Sequence, residues 1–238
     1  MLILITSFPK SGSTFLYRVL SCLPGYRPVV LIPGYDRREQ EICRSLIAAA
    51  QGQNGVARHH VRASEPTLQL IAEFQIKPVV LVRNLYDSLL SLAEHIASTT
   101  PVVPMAYFDQ SFAEKPLSFR LDAVVDLAAA WYVNFYVSWQ RNRPQDIVRY
   151  EDVVIGGAKG ILRLLESLQV PVTLAEIEAA IDEVRRHHKT RFRVGKVGRG
   201  EPQMTAANRE RIARLTSFYP DVDFRPIGLE GSTYIASS

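Results

Sequence analysis

Leu2-Ile3-Leu4-Ile5-Thr6-Ser7-Phe8-Pro9-Lys10-Ser11-Gly12-Ser13-Thr14-Phe15-Leu16 decides the fold of this chain. Leu2–Thr6 is a short apolar run that reads as a buried strand. After Thr14, the residues Phe15, Leu16, Val19, Leu20 and Leu23 line one face of a helix. Between them the loop Pro9-Lys10-Ser11-Gly12-Ser13-Thr14 leaves the strand and enters the helix. Such a corner presents free backbone N–H groups to an anion, and the helix dipole adds to the attraction. Gly12 lets the backbone approach closely, Ser11, Ser13 and Thr14 add hydroxyl groups, and Lys10 supplies a mobile charge. A corner built only for turning would call for the small residues but not for the lysine. The loop reads as a phosphate cradle.

It is not a Walker A loop. That motif places its lysine after the second glycine, just before the helix, followed by a hydroxyl for Mg²⁺. Lys10 precedes Gly12, which disfavours a metal-dependent nucleotidase or kinase; a small-molecule or nucleotide kinase with an atypical loop is the alternative reading. It would need an acidic Mg²⁺ ligand near a strand end, for which Asp87 and Asp152 are weak candidates. A nucleotide-binding module without catalysis is a third.

Working outward, four runs read as strands: Leu2–Thr6, Gly55–His59, Pro78–Val82 and Asp146–Arg149. Continuous runs such as Val79-Val80-Leu81-Val82 predict strands covered on both faces. Helical patterns alternate with them. Tyr86, Leu89, Leu90 and Ala93 follow Asn84; Val124, Ala128, Trp131, Phe135 and Trp139 mark a long helix over about 122–141. Further helices are expected near 158–168, 175–188 and 206–218, the last with Thr205 as N-cap. This alternation predicts a single α/β domain over 1–238, a central parallel sheet flanked by helices, P-loop NTPase-like in kind. Residues 98–119 and 190–204 read as long loops, the second basic and glycine-containing.

The 238 residues suit one substantial domain, and 47% hydrophobic with 22% charged residues argues against disorder. A net charge of +4 fits an anionic ligand, yet no dense basic run appears outside 185–199, so nucleic acid is not the expected partner. Cys22 and Cys43 have no zinc spacing and form no disulfide framework. The apolar start is too short for a signal peptide or membrane span. A cytoplasmic location is expected.

Phe8-Pro9-Lys10-Ser11-Gly12-Ser13-Thr14-Phe15 resembles the 5′-phosphosulfate loop of the PAPS-dependent sulfotransferase superfamily, in which a P-K-S/A-G-T/S-T run precedes an aromatic residue. The resemblance extends to Arg83-Asn84-Leu85-Tyr86-Asp87-Ser88-Leu89-Leu90-Ser91, which looks like the family's 3′-phosphate segment. Arg83 sits at the strand–helix junction and Ser91 about two turns along the helix, so both can face one phosphate. Arg193-Val194-Gly195-Lys196-Val197-Gly198 resembles the family's R-x-G-x-x-G loop, whose arginine and amides close over the 3′-phosphate. The usual tryptophan beyond it is missing; Arg199-Gly200-Glu201 stands there instead. Tyr150 matches the tyrosine of a Y-E-D segment beside the nucleotide, and Phe15 the aromatic that often stacks on adenine, although Phe15 also fits the apolar helix face.

The resemblance implies PAPS (3′-phosphoadenosine 5′-phosphosulfate) as donor, no metal, and transfer of a sulfuryl group to a hydroxyl, or less readily an amine, of a carbohydrate, lipid or small-molecule acceptor. Lys10 would stabilise the departing phosphate, and Ser91 would restrain Lys10 until the acceptor arrives. The family's base is a histidine in a K-x-H arrangement just after the second strand. Here Ala57-Arg58-His59-His60 places His60 as base and Arg58 in the lysine's position. His59 is the rival, because strand neighbours point to opposite faces and a one-residue offset exchanges them. Residues 24–37 and 98–119 are expected to shape the acceptor pocket. Tyr107, Phe108 and Phe112 read either as an apolar wall for it or as anchors of their loop.

Overall fold

A computed structural model describes residues 1–34, 38–98, 104–187 and 197–229. Its frame is a five-stranded parallel sheet in the order β2-β3-β1-β4-β5. The strands are β1 (Leu2–Ser7), β2 (Tyr26–Pro28), β3 (Asn54–His59), β4 (Lys77–Val82) and β5 (Ile147–Arg149). The helices are α1 (Ser13–Ser21), α2 (Arg44–Ala49), α3 (Glu65–Glu73), α4 (Leu85–Ile96), α5 (Leu117–Asn142), α6 (Gly157–Ser167), α7 (Leu174–His187) and α8 (Ala206–Ser217).

β1 lies in the middle, paired to β3 and β4, and all six of its residues are buried. Alternation along a strand sends neighbouring side chains to opposite faces. Ile3 and Ile5 join Leu16, Val19, Ile161 and Ile177 on the side of α1, α6 and α7. Leu2 and Leu4 join Leu89, Val124, Ala128 and Ile212 on the side of α4, α5 and α8. Both faces are covered, as the unbroken apolar runs predict.

The four expected strands and the helices near 122–141, 158–168, 175–188 and 206–218 are all present, with α5 beginning five residues early, after Pro116. Thr205 caps α8 by accepting the Asn208 N–H. Three elements carry little periodic signal. β2 is three residues long and largely exposed, α2 is six residues long, and α3 has Pro66 in its first turn, behind the Ser64 cap. Within 98–119, Phe108 is fully buried and packs edge-on against Phe112, with ring centroids 5.3 Å apart. Phe108 is therefore a loop anchor, while Tyr107 is exposed. Among the described residues, no helix is long and apolar enough to cross a membrane.

In a parallel sheet the strands all end on one edge, so the loops after β1, β3 and β4 converge there. These loops carry Lys10–Thr14, His60 and Arg83.

Candidate active site

The loop after β1 turns through two left-handed residues, Lys10 (φ 72°) and Gly12 (φ 81°). The first helical bond runs from the Phe15 N–H to the Gly12 carbonyl at 3.0 Å, so the amides of Ser13 and Thr14 lie ahead of the helical ladder. Gly12 is required twice over. Its conformation disfavours a side chain, and a Cβ there would stand 2.6 Å from Cε2 of Tyr150. From beneath, Phe8 packs against Tyr132 and Phe135 of α5, at centroid distances of 5.2 and 5.4 Å. The buried Tyr132 hydroxyl donates to the Pro9 carbonyl at 3.1 Å. Burial drives the Tyr132 phenol pKa upward, so it stays a neutral donor.

One expectation needs correction. Ser11 is fully buried, and its hydroxyl donates to the Phe8 carbonyl at 2.6 Å, with the Leu81 carbonyl at 3.3 Å. A hydroxyl has one proton to give, so Ser11 ties the loop to β4 and has only its backbone N–H to offer an anion. Ser13 is buried and Thr14 exposed. Phe15 is half-buried against the apolar cluster of α1, α6 and α7.

Arg83 follows β4 directly. Its guanidinium donates from Nη1 to the Lys10 carbonyl at 3.2 Å, approaches the Asp87 carboxylate at 3.5 Å, and lies 4.7 Å from the ring centre of Tyr150. Tyr150 thus touches both the loop glycine and the arginine. Arg83 Nε is buried with no hydrogen-bond partner among the described residues, an orphan donor that suits an incoming anion. Ser91 is half-buried in the second turn of α4, the helix that Arg83 precedes. Asn84 caps that helix by accepting the Asp87 N–H at 3.1 Å.

Asp87 is the residue whose place the sequence did not reveal. Its carboxylate accepts the N–H groups of Gly198 (2.9 Å) and Gly200 (2.7 Å), so the segment after residue 196 docks on the start of α4. Gly200 lies so close that a Cβ would stand 2.1 Å from the Tyr86 carbonyl carbon. An Arg199–Glu94 ion pair adds a second clasp. Arg193, Val194 and Gly195 lie outside the described residues.

The two histidines differ in what their rings touch. His59 is buried, and its Nε2 accepts the Leu31 N–H at 3.1 Å. His60, half-buried, directs Nδ1 to the Ser7 carbonyl at 2.8 Å. A carbonyl oxygen can only accept, so Nδ1 carries the proton and Nε2 of the neutral ring holds the lone pair. Burial lowers the His60 pKa to about 4, against a partial upward pull from the Ser7 carbonyl, with Arg58 lowering it further. His59 falls to about 3 through burial and the neighbouring His60 and Arg58. Both rings are neutral near pH 7. Arg58 points to the other face, 6.0 Å from the Tyr17 ring centre. The His60 N–H donates to the side-chain oxygen of Gln40 at 2.6 Å, a tether with no signal in the sequence.

A parallel α/β sheet with a glycine- and hydroxyl-containing loop after its central strand, an arginine after the strand on one side of it and a neutral imidazole after the strand on the other is a P-loop-like α/β fold. No protein-family model and no curated protein matches the sequence. Among solved structures, the chain is similar to mouse sulfotransferase SULT7A1 complexed with PAP. The TM-score is 0.66 at 16% identity, over 94% of this chain and 86% of that one. A sulfotransferase from Alicyclobacillus acidocaldarius aligns with a TM-score of 0.45 at 17% identity, over 98% and 97%. The chain has a sulfotransferase-like fold.

Proposed function

We propose that this protein transfers the sulfuryl group of PAPS to a hydroxyl, or less readily an amine, of a carbohydrate, lipid or small-molecule acceptor. The observation that carries the reading is the pairing of one anion loop with one base. The loop begins right after Ser7, and the Ser7 carbonyl sets the tautomer of His60. The fold likeness supports the same reading, since the mouse relative is complexed with PAP.

The donor is a substrate with two phosphate groups. The residues fit one anion at the Lys10–Thr14 amides and a second beside the orphan Arg83 Nε. In the transfer, the bond between sulfur and the donor's bridging phosphate oxygen breaks as the acceptor oxygen bonds to sulfur. The acceptor's proton passes to His60 Nε2, and the charge left on the phosphate is stabilised by Lys10 and the loop amides. Ser91 and the Arg193–Gly195 segment are assigned to the second phosphate, and Tyr150 and Phe15 to the adenine side. Tyr150 has a structural basis in its contacts with Gly12 and Arg83.

The test is parallel incubation with ³⁵S-PAPS and with ATP against acceptor panels, in the presence and absence of EDTA. Label transfer from PAPS in both conditions is the expected result. Transfer from ATP that EDTA abolishes, with none from PAPS, overturns the reading.

A further inference from the structure

Asp87 occupies the third position of α4, behind the Asn84 cap. An acidic side chain at that position ordinarily folds back onto the N–H of the cap residue. Here the Asn84 N–H instead faces the Glu151 carboxylate at 3.5 Å. The Asp87 side chain, 1% exposed, reaches outward to three partners: the Gly198 N–H, the Gly200 N–H and Arg83 Nη2. A carboxylate buried this deeply is costly unless it is paired and hydrogen-bonded. The two glycine amides would suffice to anchor the segment they belong to. The third contact runs elsewhere. Through Nη1, the same guanidinium holds the carbonyl of Lys10, a residue with a side chain in the left-handed region. That conformation is disfavoured for any residue bearing a Cβ and needs support from its surroundings.

We propose that Asp87 is a positioning residue for the reaction: it aims Arg83, and through Arg83 it holds the Lys10 backbone in the shape that presents its ammonium group to the leaving phosphate. The inference rests on the sulfuryl-transfer reading. It adds that the two phosphate sites are mechanically coupled, with Asp87–Arg83–Lys10 as the link. Losing Asp87 therefore affects the transfer step as well as nucleotide binding.

The experiment compares Asp87→Asn with Glu94→Gln. The first keeps the shape of the side chain and removes its charge. The second removes the Arg199–Glu94 clasp on the same segment without touching Arg83. Each protein is checked for folding by circular dichroism, then assayed with PAPS and acceptor both saturating, and PAP affinity is measured by calorimetry. Asp87→Asn is expected to lose about tenfold in kcat and a similar factor in PAP affinity. Glu94→Gln is expected to keep the wild-type kcat. A wild-type kcat for Asp87→Asn, or equal losses in both variants, overturns the inference, because Asp87 would then be only an anchor. If Asp87→Asn does not fold, Arg83→Gln breaks the link from its other end. A kcat loss at saturation supports the proposal, and weakened PAP binding at unchanged kcat overturns it. Failure of the wild-type protein to bind PAP at all is a different outcome, since it removes the sulfotransferase reading itself.

Discussion

Nδ1 of His60 donates to the carbonyl oxygen of Ser7 at 2.8 Å, and Ser7 is the last residue of the strand from which the Lys10–Thr14 loop springs. One hydrogen bond therefore connects the candidate base to the base of the anion cradle. It orients the ring, fixes its tautomer and leaves the ring's lone pair on Nε2. His59, one residue earlier, spends its own Nε2 on the Leu31 N–H.

The two histidines should accordingly separate in function. His60→Ala is expected to abolish turnover while retaining PAP. His59→Ala is expected to lower the melting temperature, since it opens space in a buried site and leaves the Leu31 N–H without its acceptor, yet to keep measurable transfer. A dead His59→Ala beside an active His60→Ala would show that the base is His59 and that His60 was wrongly assigned.

Both depressed histidine pKa values have a consequence for stability. In the unfolded chain each ring takes a proton near pH 6.5; in the folded protein this waits until about pH 4 for His60 and about pH 3 for His59. Between these values the unfolded state binds more protons, so stability rises with pH. Their contribution is fully present above pH 6.5 and is lost as pH falls toward 4 and then 3. Denaturant melts across pH 4–7 measure this. His59→Gln is expected to flatten the profile, and an unchanged slope in that variant refutes the assignment.

Arg83→Ala is expected to weaken PAP binding at least tenfold, and binding of adenosine 5′-phosphosulfate, which lacks the 3′-phosphate, much less. Arg193→Ala should show the same selectivity if its loop closes on that phosphate. Calorimetry with both nucleotides decides the matter, because equal losses would remove these arginines from the second phosphate.

Gly12→Ala combines an unfavourable backbone with a collision against Tyr150. The expected outcome is a loss of about 1–3 kcal/mol in stability together with weakened PAP binding. A variant that melts and binds like the wild-type protein would show that the loop can open at no cost.

Much of this was legible along the chain because the signals are local. The apolar run of β1, the glycine and lysine of the loop and the period of α5 each lie within one element, and local backbone preferences act there directly. β2, α2 and α3 were obscure for the converse reason: they are short or polar, and neighbours packed on them hold them in place. Ser11 shows the limit within the site. Its position in the motif suggests a ligand hydroxyl, but only the approach of Leu81 and the turn at Phe8 show that the hydroxyl points inward.

By itself, the order of residues determined a parallel α/β frame and a glycine- and hydroxyl-containing loop with Lys10 after the first strand, and it pointed to Arg83, Ser91 and Arg193 as further candidates behind it. Tertiary structure alone decided that His60 turns its Nδ1 to Ser7, that Tyr150 closes on Gly12, and that Asp87 joins Gly198 and Gly200 to Arg83. The reason is one of distance along the chain. A strand or a loop is encoded by its own residues, whereas a tautomer or a buried carboxylate is set by groups some fifty to more than a hundred positions away, which the fold alone brings within hydrogen-bonding reach.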